Sequence, residues 1–149
     1  MSQVVVGGTF NVFHKGHAKL LDVAMICAAL RHAALVVGVS SIGFAQSTRD
    51  VPVRSFRERV KDISEYIESS DLRPEFGPVF YKMIEHKDDM PVMEDDDVLV
   101  VSQETAQNAY QILTEKGYLC HVEIINMVCD ENGEEIHSTK ILREKIERE

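Results

Sequence analysis

Three short aliphatic runs constrain the fold of this chain more than any other feature: QVVV at residues 3–6, AALVVGV at 33–39 and VLVV at 98–101. An alternating strand buries one face, whereas an almost unbroken apolar run asks for cover on both. Helical patterns lie between these runs. Residues 16–30 carry a wide apolar face that includes Leu20, Leu21, Ala24 and Ala28. Residues 54–68 place Phe56, Val60, Ile63 and Ile67 at helical spacing. Residues 104–116 form a further helix, with Gly117 as its cap. Strands are predicted at 79–84 and 119–127, a DENG turn at 130–133 and a last helix at 138–149. Strands alternating with helices imply a parallel sheet covered on both faces. Right-handed crossovers then give an α/β, Rossmann-like, doubly wound sheet of five parallel strands.

A chain of 149 residues suits one domain over 1–149. No window approaches the ~20 apolar residues of a membrane span. The opening MSQVVV has no basic stretch before it, so no signal peptide is expected. Cys27, Cys120 and Cys129 are scattered and odd in number. That pattern fits neither a disulfide framework nor a zinc cage and suits a reducing, cytoplasmic setting. The net charge of −9 disfavours a nucleic-acid groove. The acidic runs at 88–89 and 94–97 read as solvated loop, and 86–97 as a loop or flap. Met25, Met83, Met90, Met93 and Met127 read as core filler or loop contacts, and Cys27 as a small buried hydrophobe.

Doubly wound sheets bind ligands at the carboxyl ends of their strands, near the point where strand order reverses. The stretch GGTFNVFHKGH at residues 7–17 falls at such an end. Gly7 and Gly8 allow close approach of a ligand. Thr9 adds a hydroxyl, and the N-terminus of the following helix favours an anion. His14 and His17, three apart, can be aimed at one point, where imidazoles donate to oxygens that gain charge. No third metal ligand stands nearby in the sequence. Neither GxxxxGK[ST] nor GxGxxG occurs, so the site is a phosphate site of another kind.

GGTFNVFHKGH resembles the GGTFDxxHxGH signature of the nucleotidyltransferase superfamily, with Asn11 where that family usually has Asp. IHSTKI at 136–141 is similar to the ISSTxIR segment that opens a phosphate-holding helix in the family. Here His137 replaces the first serine, and Leu142 stands at the arginine position with Arg143 after it. VSQET at 101–105 resembles the VSPET segment of archaeal- and eukaryotic-type phosphopantetheine adenylyltransferases. The RYVDEVI segment of glycerol- and ethanolamine-phosphate cytidylyltransferases is absent.

That resemblance implies transfer of AMP from ATP, as its Mg²⁺ complex, to 4′-phosphopantetheine. The products are dephospho-coenzyme A and pyrophosphate. It implies His17 at the α-phosphate, with Thr9 as a second catalytic group. Gly8, Thr9, Phe10, His14, Ser102, Thr105, Ser138 and Thr139 would join His17 in holding ATP. Thr9, the Phe10 N–H and Arg49 would orient the acceptor phosphate, with Arg54 or Arg59 as substitutes for Arg49. Lys140 or Arg143 would supply the charge missing at Leu142. The implied partners are ATP and a phosphorylated small-molecule acceptor, with no nucleic acid or membrane, and the chain is expected to be a monomer or small homo-oligomer. Three rivals stand beside this reading: an FAD synthetase or cytidylyltransferase, a nucleotide binder without turnover, and an interaction protein using its acidic loop.

Overall fold

The computed structural model describes residues 2–8, 10, 15–40, 54–85 and 89–126. The strands are β1 (Gln3–Gly8), β2 (Ala34–Ser40), β3 (Val79–Ile84), β4 (Val98–Ser102) and β5 (His121–Ile125). The helices are α1 (Lys15–Arg31), α2 (Phe56–Glu68) and α3 (Gln103–Lys116), with a 3-10 turn at Arg73–Glu75. The turn predicted at 130–133 and the helix at 138–149 lie outside the described residues.

The strands form one five-stranded parallel sheet in the order β3-β2-β1-β4-β5. From β1 the chain steps outward through β2 to β3, and then resumes on the other side with β4 and β5. Right-handed crossovers therefore put α1 and α2 on one face and α3 on the opposite one. The two-residue period of β1 divides its valines accordingly. Val4 and Val6 join Leu35, Val37 and Val39 beneath Leu21, Met25, Ile63 and Ile67. Val5 joins Val36, Leu99 and Val101 beneath Ala106, Ala109 and Leu113. The unbroken aliphatic runs are thus buried from both sides, as their composition requires.

Local chemistry sets the element ends. Ser55 caps α2 by accepting from the Glu58 N–H at 3.2 Å, while its hydroxyl donates to Glu58 Oε1 at 3.0 Å. Gly117 ends α3 at φ 70°, and the Tyr118 N–H reaches back to the Leu113 carbonyl. His32 does the same for α1 at φ 51°, with the Ala33 N–H on the Ala28 carbonyl. β5 is shorter than the predicted 119–127 because its partner β4 offers only five residues of ladder, and Leu119 lies 79% exposed before it.

The acidic run at 94–97 differs from the solvated loop its composition suggests. Glu94, Asp95 and Asp96 are exposed, but Asp97 is buried. Its carboxylate accepts from the Gln3 N–H at 2.9 Å, the Gln3 side-chain amide at 3.2 Å and the Glu94 N–H at 2.8 Å. Met25 and Met93 are core residues, and Met83 lies on the edge strand and is partly exposed. Cys27 is buried, and that burial pushes its thiol above the usual range.

Helices α1 and α2 are tied by the Tyr66 hydroxyl, which donates to Asp22 Oδ1 at 2.6 Å. Burial and then the Asp22 carboxylate push the Tyr66 phenol from 10.0 up to about 12. The unfolded chain therefore gives up this proton first. The bond's contribution is complete below pH 10.0 and is lost as pH rises toward about 12. Urea titrations across that range are expected to show stability falling with pH. In Tyr66→Phe that part of the fall disappears, and an unchanged slope would refute the assignment.

Candidate functional site

The strand order reverses between β1 and β4, and the ends of the first motif's strand and of VSQET's strand meet there. Gly7 pairs with Gly38 and Gly8 with Val39 on one side. On the other side the last β1–β4 pair is Val6 with Val100, and Gly8 and Ser102 each lie two residues beyond it. The GG of the first motif and the serine of VSQET are thus neighbours at one end of the sheet. The helix α1 returns from this end, and its first turn carries no acid to oppose an incoming anion.

Phe10 is 1% exposed and has φ 51°, a left-handed conformation that is uncommon for a residue with a side chain. Its ring lies under Gly8: a Cβ at that glycine would stand 3.2 Å from Phe10 Cε2. Part of the main core cluster, it also meets His17, the third residue of α1, with ring centroids 5.0 Å apart and planes at 49°. His17 is half-buried, and its Nδ1 is shielded from solvent.

Ser102 is the N-cap position of α3. Its Oγ lies 3.1 Å from Thr105 Oγ1, and the Thr105 hydroxyl also approaches the Ser102 carbonyl at 3.3 Å. From this end a cavity of about 580 Å³ runs along the face of the sheet beside α3. Gly7, Gly8, Gly38 and Ser40 line its mouth, and Val5, Leu99 and Val101 its floor. Thr105, Asn108, Ile112 and Glu115 form one wall, on successive turns of a single face of α3. Met90 and Pro91, from the segment after β3, form another. The sequence reading missed this wall, although the 3-4-3 spacing after VSQET was its visible signal.

The structure therefore brings together Gly8, Phe10, His17, Ser102 and Thr105. Thr9, Asn11, His14, Arg49, His137, Ser138, Thr139, Lys140, Leu142 and Arg143 lie outside the described residues. Of the two arginines named beside Arg49, Arg54 pairs with Asp62 at 2.8 Å and with Glu58 at 3.7 Å. Arg59 is fully buried, and its Nε donates to the Arg54 carbonyl at 2.8 Å. Burial, with Arg54 nearby, pushes the Arg59 guanidinium below its ordinary value. Among the described residues no three His, Cys, Asp or Glu side chains gather as a metal site.

Chemically, this end of the sheet offers a helix N-terminus, a side-chain-free glycine edge, an imidazole and two hydroxyls. That donor set suits a phosphate chain, and the apolar cavity behind it suits a longer, less polar group.

The family model described as cytidylyltransferase-like matches residues 5–144. A Methanopyrus kandleri protein named phosphopantetheine adenylyltransferase is 31% identical over 93% of this chain and 87% of its own length. Proteins of the same name from Pyrobaculum aerophilum and Methanosarcina barkeri are 32% and 30% identical, over 94% and 99% of this chain and 89% and 91% of their own lengths. Among solved structures, a protein of unknown function from Archaeoglobus fulgidus superposes with a TM-score of 0.66 at 26% identity, covering 84% of this chain and 98% of its own. A lipopolysaccharide core biosynthesis protein from Thermoplasma volcanium shares the fold, with a TM-score of 0.55 at 20% identity over 86% of this chain and 97% of its own. With nearly its whole length matched and its glycine strand end, His17 and Ser102–Thr105 gathered at the switch point, the chain belongs to the cytidylyltransferase-like family.

Proposed function

We propose that this protein is a phosphopantetheine adenylyltransferase. It transfers AMP from ATP to 4′-phosphopantetheine, yields dephospho-coenzyme A and pyrophosphate, and so serves coenzyme A synthesis. The observation that carries the reading is the near full-length similarity to archaeal proteins of that name, on a chain whose Gly7–Gly8 pair and Ser102 come to one sheet end. The reducing cytoplasm is the proposed setting, and a monomer or small homo-oligomer the proposed form.

In the proposed reaction an oxygen of the acceptor phosphate attacks the α-phosphorus of ATP in line, and pyrophosphate leaves. Proximity and charge neutralisation supply the catalysis, and no covalent enzyme intermediate is needed. Magnesium enters as part of the Mg·ATP substrate. With Nδ1 shielded by protein, His17 offers Nε2 to the α-phosphate oxygens as their charge grows. The N-terminus of α1 adds its dipole. Thr9 and the Phe10 N–H orient the attacking phosphate, and Arg49 balances its charge. His14 holds the ATP phosphates, and Ser138 and Thr139 the departing pyrophosphate. Ser102 and Thr105 frame the nucleotide.

The test is pyrophosphate release from Mg·ATP with and without 4′-phosphopantetheine, with CTP and FMN as control substrates. Release is expected only with ATP and phosphopantetheine together. Release with FMN or with CTP would replace the reading by a flavin-forming or cytidylyl-transferring enzyme. ATP binding without release under any pairing would make the protein a nucleotide binder.

A further inference from the structure

We infer that the Phe10 side chain is a positioning residue, which sets the orientation of the His17 imidazole from beneath. The inference rests on the proposed function for its catalytic consequence, and on geometry alone for the contact. A backbone in the left-handed region is strained for any residue with a Cβ, and such strain persists only where surrounding packing holds it. At Phe10 the packing is visible. The ring is almost wholly buried, which a backbone-only role for this residue does not require. It sits close enough to Gly8 that a methyl there would press on its edge at 3.2 Å. It also meets the His17 ring at 5.0 Å and 49°, within the range of tilted aromatic pairs. Gly8, Phe10 and His17 thus form a contact chain from the end of β1 to the first turn of α1. The glycine leaves room for the ring, and the ring packs against the imidazole. An imidazole on a helix's first turn has free side-chain torsions unless something fixes them. Phe10 is an aromatic neighbour that constrains them.

The test is a double-mutant cycle in the full chain, with free-protein spectra beside it. Phe10→Leu removes the ring plane and keeps an apolar side chain. It is expected to lower kcat by about 10–100-fold, because small misplacements of a catalytic group cost on that order. The ATP KM is expected to stay within about twofold of wild type, as for an interaction made in the transition state. In a His17→Ala background the same change is expected to cost nothing further, because a residue acting through another has no effect once that other is gone. Ile67→Val, a change on α2 in the same core cluster, controls for lost stability and is expected to lower the melting temperature while kcat holds. Phe10→Met, of similar bulk and without a ring, repeats the test should Phe10→Leu fail to fold. Side-chain ¹H–¹⁵N spectra of the ligand-free protein read the tautomer balance of His17 without turnover, and Phe10→Leu is expected to change it. Multiplicative losses in the cycle, or unaltered His17 spectra, overturn the inference. A wild-type protein that releases no pyrophosphate while its His17 spectra still respond to Phe10→Leu overturns the proposed function and leaves the positioning contact standing.

Discussion

Replacing His17 by alanine is expected to lower the rate of adenylyl transfer by about 10²–10³-fold, the loss seen when one preorganised donor to developing charge is removed. Two features of the site could carry that charge among the described residues: the N-terminus of α1 and the His17 ring on its first turn. Their magnitudes separate them. A helix end contributes about 0.3–1 kcal/mol to a nearby anion, less than tenfold in rate. A donor held in place and partly shielded from water contributes about 3–4 kcal/mol to the transition state. The loss is expected in kcat, with the ATP KM little changed, since the interaction strengthens as charge builds. His17→Gln, which keeps a side-chain donor, is expected to recover part of the rate. His121→Ala, at an exposed histidine paired with Glu123 on β5, is the control and is expected to retain wild-type turnover. Steady-state kinetics of pyrophosphate release decide the matter. A His17→Ala rate within about threefold of wild type would remove the residue from the mechanism.

Much of this was legible in the sequence, for identifiable reasons. The strands at 3–6, 33–39 and 98–101 appear within two residues of their predicted ends, because continuous aliphatic runs have no other soluble use at that length. The helices fall equally close: apolar spacing and the Gly117 cap marked them, while the Ser55 cap starts α2 two residues after the expected position 54. That Gly8 and Ser102 come to one end of the sheet was readable, because their motifs are local and follow strands β1 and β4. Three features were missed. The 3-4-3 spacing of Thr105, Asn108, Ile112 and Glu115 marks one face of α3, but that this face lines a cavity is decided by tertiary packing. Arg59 shares the buried stripe of Ile63 and Ile67, a spacing that hydropathy alone overlooks for a cation. Asp97 ends a run of four acids, and nothing in that run distinguishes it except its place beside VLVV.

Asp97 is where the largest loss of stability is expected. Its carboxylate joins the start of β1, through the Gln3 N–H and side-chain amide, to the turn that precedes β4. Its own carbonyl accepts from the His121 N–H at 3.1 Å, so β5 starts from the same residue. Asp97→Ala strands the Gln3 and Glu94 N–H groups in a setting where the carboxylate had replaced water. At about 1–3 kcal/mol for each polar group left unsatisfied, the expected cost is roughly 2–4 kcal/mol. For a domain of this size that is a fall of about 10 °C in melting temperature. Asp97→Asn is no rescue, although it fits. All three partners donate, so whichever way the amide turns, its NH₂ faces at least one N–H. The expected cost therefore approaches that of alanine. Asp95→Ala and Asp96→Ala remove the same charge from exposed neighbours and are expected to stay within about 0.5 kcal/mol of wild type. Net charge alone would make all four variants alike, whereas the hydrogen-bonded carboxylate sets the two Asp97 variants apart. Urea denaturation of the four proteins decides between them.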